Sequence, residues 1–409
     1  MNFVAKTWSC GKVRTGQLQL SNCPLPIETP ALLLPTRKGL PSFITPDLLS
    51  TLQHPDSALF HLSPLQFLDG LSSKTVKKVG GINQLVGLND YGFIALANDA
   101  IICHPNYGAS SKLGAAFETP CGRHVVNTSE YMEWVASLQP NIWTSIADEV
   151  PFGVSEKRNR LSVDRTVKWL DECIARNTKG DVFGAIVGGS DLRERNRCAN
   201  EIAKRNVSGY WIAGFGFRED TIPRNDLIYS VADCLEEDKP RLISGLGFPD
   251  ELLHGVAAGI DLFYSSETYH QTLDGYAFTF PLNLNYWTEP DAMKTAFQEN
   301  KLNLKSPIYR KDSSPIVKNC GCYTCLNHTR AYINHLLTVG EMLAQTLLEI
   351  HNTHYYLAFF RMIRESIRNQ KFDLFRTRYC VILVNARSLC YVCYICSKLY
   401  RNGRDPLIK

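Results

Sequence analysis

Three cysteines within six residues, Cys320-Gly-Cys322-Tyr-Thr-Cys325, form the densest concentration of metal-binding chemistry in the chain. Thiolates are soft ligands, and three of them on one tight turn need a single further donor to close a tetrahedron around structural zinc. Four histidines follow closely enough to supply it: His328, His335, His351 and His354. His328 is near enough to strain the turn. His351 ends an apolar stretch, 341–350, whose helical spacing would carry its imidazole back to the cysteines, and His354 falls three residues further on. Four protein ligands leave no open position for water, so such an ion would hold structure rather than activate a nucleophile. A second group, Cys390, Cys393 and Cys396, has CxxC-like spacing but no histidine or second pair beside it, and reads as an apolar tail.

The elements that must position this turn are legible in part. From Asp181 to Ser266 short apolar runs, 182–188, 210–215, 241–247 and 260–266, alternate with polar stretches of helical spacing such as 191–206 and 249–259. Strands alternating with helices of that length build βαβ units and a parallel sheet, closed as a barrel or open as a doubly wound sheet. Gly209 and Gly259 follow the helices and read as left-handed caps. Residues 164–176 read as one more amphipathic helix. The Pro- and Gly-rich text at 24–46 reads as short strands and turns, an antiparallel lid over one end of the sheet. Beyond the Cys turn, Leu343, Leu347 and Ile350 share one helical face, and Tyr356, Phe359, Phe360, Ile363 and Ile367 share another.

Composition sets the class. The 409 residues are 44% hydrophobic and 21% charged, which suits a soluble globular chain with a full core. The first residues lack the apolar segment of a secretory signal, and no run of about 20 apolar residues predicts a spanning helix. Seven of the 14 cysteines are scattered singly through 10–234, as expected of reduced, buried thiols in a cytosolic chain. The net charge of +4 hides an asymmetry: residues from Lys301 onward carry 17 basic and 6 acidic groups, against 27 and 34 before it. A basic C-terminal part suits a phosphate backbone, or equally an acidic barrel or partner.

With these pieces in place the text CGCYTCLNHTRAYINHLL followed by LLEIHN resembles the zinc signature of the tRNA-guanine transglycosylase family, Cys-x-Cys-x-x-Cys and then His-Asn after the next helix. The resemblance selects Cys320, Cys322, Cys325 and His351 as ligands of one structural Zn2+. GYWIAGFGFRE (209–219) is similar to the family's glycine-rich segment at the base-binding pocket, and 237–263 to the strand–helix–strand leading into its nucleophile. The match covers about 141–368 well and the first 140 residues loosely. It implies an irregular (β/α)8 TIM barrel over 1–300, a linker over 301–319 and an appended C-terminal zinc-binding helical subdomain over 320–372. A tail over 373–409 has no assigned role.

Base exchange at a nucleoside needs a carboxylate to attack C1′ of the ribose and a second acid to move a proton. In the family the nucleophilic Asp follows Gly-Val-Asp-Met-Phe; here Gly259-Ile260-Asp261-Leu262-Phe263 is followed by Tyr264. A phenol with a pKa of about 10 is neutral at pH 7 and a poor substitute. Asp261 is three positions away on the strand, hence on the opposite face, and reads as structural. Glu267 lies nearer in register, with an uncertain aim. The family's Pro-Thr-Arg loop is absent from 265–280, and Asp-Ser-Gly-Gly-Phe-Gln is absent too, its nearest text being Leu62-Ser63-Pro64-Leu65-Gln66-Phe67. Gly188-Gly189 lacks the family's neighbouring Gln. Asp148 resembles the base-recognising Asp but, alone, reads as a surface or capping carboxylate.

These losses imply no catalytic residues of its own and the part of a non-catalytic subunit. Its expected partners are the catalytic queuine tRNA-ribosyltransferase subunit, in a heterodimer, and tRNA. The resemblance also implies a cytoplasmic location with peripheral association to the mitochondrial outer membrane. The alternatives are a self-sufficient transglycosylase using Glu267 or Asp148, and an RNA-binding homodimeric barrel.

Overall fold

The computed structural model describes residues 1–7, 11–68, 70–176, 178–216, 221–288 and 300–380. Eight parallel strands make the barrel: β1 (Ala31–Leu33), β2 (Leu59–Leu62), β3 (Gly92–Ala95), β4 (Ile142–Thr144), β5 (Asp181–Ile186), β6 (Gly209–Ile212), β7 (Arg241–Ser244) and β8 (Leu262–Tyr264). Their spatial order is β1-β8-β7-β6-β5-β4-β3-β2. The ring closes between β1 and β2, where Leu34 N–H donates to Leu59 O (2.9 Å) and His61 N–H to Leu34 O (2.9 Å). Helices follow β2 to β8 on the outside, and a short 3-10 turn, Leu48–Thr51, stands after β1, which makes the barrel an irregular (β/α)8 fold.

Almost every strand residue is buried, as befits strands covered on one face by helices and on the other by the barrel interior. The expected strands end earlier than their apolar runs. Gly188, Gly189, Gly214 and Gly245 all have positive φ and turn the chain out of β5, β6 and β7, so the last residues of each run become loops at the C-terminal mouth. Gly259 is left-handed (φ 80°) as expected. Gly209 is not: it opens β6, and a Cβ there would stand 2.6 Å from the Phe183 ring. That glycine serves close packing, not capping.

The helix expected at 164–176 is longer, Glu156–Ile174, because Ser155 caps it by accepting from Arg158 N–H. Asp191 does the same for Leu192–Ala203. At the opposite end of the barrel a three-stranded antiparallel sheet (Asn2–Thr7, Arg14–Gln19, Ile27–Thr29) acts as a lid. Its Arg14 pairs in a bidentate manner with Asp261 (2.9 and 2.6 Å), whose Oδ2 also accepts from Arg241 N–H. Asp261 is therefore structural and points away from the mouth, as its register predicts.

Residues 301–319 do more than link. Lys301–Asn303 pairs antiparallel with Tyr276–Phe278, and Leu304, Tyr309 and Ile316 join Ile333, Leu336, Ala344, Leu347 and Leu348 in a small second core. The two apolar stripes beyond the Cys turn belong to one continuous helix, Leu343–Arg368. Its latter half is part of the barrel's own core, and Arg364 locks it there by donating to Pro30 O (2.9 Å) and pairing with Asp56 (2.7 Å). Residues 372–380 are helical, with Phe372, Phe375 and Tyr379 buried in the same core. Cys390, Cys393 and Cys396 lie outside the described residues.

Candidate metal centre and the barrel mouth

The Cys turn sits where the short helix Tyr323–Asn327 begins, with Cys322 as its N-cap. Opposite it His351 projects from Leu343–Arg368, inside the helix and not at its end as the sequence suggests. His351 Nδ1 stands 4.0 Å from Cys320 Sγ and 3.4 Å from Cys322 Sγ and Cys325 Sγ, and the four donor atoms lie within 4.8 Å of one another. Tetrahedral zinc with the usual Zn–S and Zn–N bond lengths needs donor separations of about 3.5–3.8 Å, so the set fits. The other ring nitrogen, Nε2, faces Phe278 O at 2.8 Å, which fixes the tautomer with the Nδ1 lone pair aimed at the sulfurs. Hydrogen bonds from Cys322 and Cys325 hold the Cys320 thiol far below its ordinary range. His354, half-buried and three residues on, is near enough to act on the Cys320 thiol but is not one of the four clustered donors. His328 instead stacks on Tyr332 (5.3 Å), and His335 is exposed.

At the C-terminal ends of the strands, where (β/α)8 barrels place their chemistry, position 264 is filled by a buried phenol. Tyr264 stacks on His61 with ring centroids 3.9 Å apart and donates to Asp99 Oδ1 (3.1 Å), while Ala100 N–H donates to its oxygen (3.2 Å). Burial, and then the Asp99 charge, push this phenol well above its ordinary pKa, so it stays neutral. Asp99 is an acid facing this position that the sequence reading does not single out. It stands two residues beyond the apolar run 92–97 that leaves β3, an acid just past a strand, and that is the available signal. Gln66, from the stretch nearest to the absent family motif, donates to its Oδ2 (2.6 Å), and Ile101 N–H to its Oδ1 (2.9 Å).

Asp148 is fully buried, which corrects its reading as a surface or capping carboxylate. Arg158 grips both oxygens (2.8 and 2.6 Å) and Arg165 adds a third bond (2.9 Å); the same guanidiniums donate to Tyr107 O and Ser110 O, tying that loop to the helix Glu156–Ile174. Glu267 opens the helix Glu267–Asp274 and accepts from Gln271 (2.6 Å). Asp148 is thus fully engaged, whereas Glu267 is half-buried and held through one oxygen.

Glu149 is fully buried too, accepting from Gly214 N–H (2.8 Å) and Asn98 Nδ2 (3.3 Å). Burial raises its pKa to about 7 against the pull of those bonds. The native state thus keeps a proton that the unfolded chain loses near its ordinary value of 4.5. The stabilisation is complete below that pH and is lost as pH rises through about 7. Glu149→Gln should therefore flatten the pH dependence of unfolding free energy between about pH 4.5 and 7. The full span between the two pKa values corresponds to on the order of 3 kcal/mol. Parallel urea titrations of the two proteins check it, and identical slopes would refute it.

The queuine tRNA-ribosyltransferase profile matches residues 10–383. The chain belongs to the queuine tRNA-ribosyltransferase family. Among its relatives are proteins named queuine tRNA-ribosyltransferase accessory subunit 2. The Danio rerio protein is 32% identical over 386 residues, covering 86% of this chain and 91% of the relative. The Homo sapiens protein is 32% identical over 382 residues (84% and 90%), and the Pongo abelii protein 34% over 328 (71% and 78%). In this member of the queuine tRNA-ribosyltransferase family, the barrel and a Cys3His cluster that could hold a metal ion accompany a mouth where a tyrosine occupies the end of β8.

Proposed function

We propose that the chain is the non-catalytic subunit of a heterodimer that exchanges guanine for queuine at the wobble position of tRNAs with GUN anticodons, those for Asp, Asn, His and Tyr. The observation that carries this is Tyr264. The sugar would have to be attacked by an anion held at the end of β8, and that place holds a neutral phenol bonded to Asp99. The self-sufficient alternative is disfavoured, because Asp148 is taken by Arg158 and Arg165 and Glu267 by Gln271.

Cys320, Cys322, Cys325 and His351 would hold one zinc ion, which would clamp the Cys turn to the long helix and take no part in exchange. The subdomain so clamped exposes large apolar side chains, Ile308 (75%), Leu326 (71%) and Met342 (81%), alongside the half-exposed Tyr323 and Tyr332. Exposed apolar groups gathered on one subdomain suit a protein partner, which here would be the catalytic subunit. The basic residues from Lys301 onward suit tRNA. A cytoplasmic location, with peripheral association to the mitochondrial outer membrane, belongs to the same proposal. Among the described residues no helix is long and apolar enough to cross a membrane.

Guanine-exchange assays on tRNA with this chain alone, the catalytic subunit alone and the two together test the reading. Exchange is expected in the mixture at a rate above that of the catalytic subunit alone, and none is expected with this chain alone. A covalent adduct between RNA and this chain in isolation would overturn it.

A further inference from the structure

Under the lid, at the end of the barrel opposite the mouth, Arg14 and Arg241 are both almost wholly buried (4% and 3% exposed). Asp261 is the carboxylate that both of them reach. It accepts from Arg14 Nε and Nη2, and from Arg241 only through the backbone N–H. The Arg241 guanidinium meets carbonyl oxygens instead. Its Nη1 donates to Gly259 O (3.4 Å) and its Nη2 to Leu235 O (3.0 Å) and Glu236 O (3.5 Å). Its Nε–H has no hydrogen-bond partner among the described residues. Burial, and then the Arg14 charge, pull the Arg241 pKa down to about 10, which still leaves it protonated at neutral pH. Two buried cations thus share one carboxylate, and a buried charge left without its own counterion is costly.

Both arginines line a cavity of about 510 Å3 between the strand Asn2–Thr7, the end of the helix Thr221–Asp233 and the turn 234–240. Its charges are sorted by depth. The guanidiniums form the buried side, whereas Asp233, Glu237 and Asp238 are exposed at the rim. Asp233 pairs with Lys12, which also donates to Tyr229 O (2.7 Å). Glu237 and Asp238 remain as negative charge above, set against the surplus positive charge below. A phosphate would be drawn to the floor and repelled by the rim. A molecule with a carboxylate at one end and an ammonium at the other answers both. We infer that this cavity binds a small amino-acid-like zwitterion, its carboxylate turned in toward Arg241 and its ammonium held by Glu237 and Asp238. Donors are available for it: Nη1 of Arg14 and Nη1 of Arg241 each use one of their two hydrogens, on Glu237 O and Gly259 O. The volume suits a ligand of that size.

Thermal melting of the full-length chain at constant ionic strength tests this, with γ-aminobutyrate as the probe. At about 20 mM it should raise the melting temperature by about 2 °C, as a Kd on the order of 1 mM requires. Equilibrium dialysis of the radiolabelled compound should find one site per chain. Butyrate and inorganic phosphate should each give less than about half that shift, and 4-amino-1-butanol, which lacks the carboxylate, none. Arg241→Gln keeps amide donors for the neighbouring carbonyls but removes the charge, and should abolish the shift. The exposed pair Glu237→Lys and Asp238→Lys, which leaves the buried arginines in place, should reverse the order so that butyrate stabilises more than γ-aminobutyrate. If Arg241→Gln does not fold, this rim variant decides. A wild-type chain stabilised no more by γ-aminobutyrate than by 4-amino-1-butanol overturns the inference, and so does a rim variant that keeps the wild-type order.

Discussion

Replacing Cys322 with serine should cut the metal content from one ion per chain to below about 0.1 and lower the melting temperature of the C-terminal subdomain first. Cys322 is the most buried of the three thiols, and its sulfur both stands 3.4 Å from His351 Nδ1 and caps the helix Tyr323–Asn327 by accepting from Cys325 N–H (3.3 Å). One substitution thus removes a ligand and alters a cap. Structural zinc in small peptides contributes roughly 10–16 kcal/mol, more than a core as small as the one around Leu304, Ile333 and Leu347 supplies on its own. The loss is therefore limited by the subdomain's own stability, and the Cys turn, the helix Arg330–Val339 and the strand Lys301–Asn303 should unfold together. The damage should stop part-way along Leu343–Arg368. Residues Tyr355 to Ile367 lie in the barrel core and are tied to Pro30 and Asp56 through Arg364. Circular dichroism should thus lose only a minor part of its helical signal, and a chelator should reproduce the change. A fully metallated Cys322→Ser protein with the wild-type melting curve would show that the ligand set is wrong.

The same cluster shows what a sequence can and cannot carry. Three cysteines on one turn are a local pattern, legible as soon as they are met. The helix that answers them reads as broken near His351, because His351-Asn352-Thr353-His354 is a polar interruption between apolar stripes. In the fold His351 and Asn352 are satisfied by the neighbouring strand Tyr276–Phe278. Asn352 donates to Tyr276 O (3.0 Å) and accepts from Phe278 N–H (3.0 Å), and His351 Nε2 meets Phe278 O. Nothing near position 351 announces that strand. The barrel divides in the same way. From β5 to β8 strands and helices alternate at regular spacing and the pattern is plain. β1, β2 and β3 are three or four residues each and buried along their whole length, so no alternation marks them. Asp99 and the Arg158–Asp148–Arg165 group escape the sequence for a related reason. Each depends on loops brought together by the closed barrel, and a carboxylate's partners cannot be read from its neighbours in sequence.

Restoring a carboxylate at the end of β8 should not restore base exchange. Tyr264→Asp, assayed without a partner, is expected to give no exchange above background and to lose about 2–4 kcal/mol of stability. The stability loss has two sources. Removing the stacked ring leaves a void against His61, and the new carboxylate shares a dry site with Asp99, whose Oδ1 lies 3.1 Å from the phenol oxygen in the native chain. Two acids so placed cannot both ionise cheaply, so one of them takes up a proton at neutral pH and the single remaining charge is shared with Asp99, not fixed at position 264. Even an ionised carboxylate at position 264 would stand beside acids engaged elsewhere. Asp148 is held by two guanidiniums, which also tie the loop carrying Tyr107 and Ser110 to their helix. Silence at position 264 is thus one of several mutually supporting changes, each stabilising in its own right, and a single substitution does not undo the others. If Tyr264→Asp alone inserts labelled guanine into tRNA at a rate near that of the catalytic subunit, the phenol was the sole obstacle and the engagement of Asp148 is irrelevant to the chemistry.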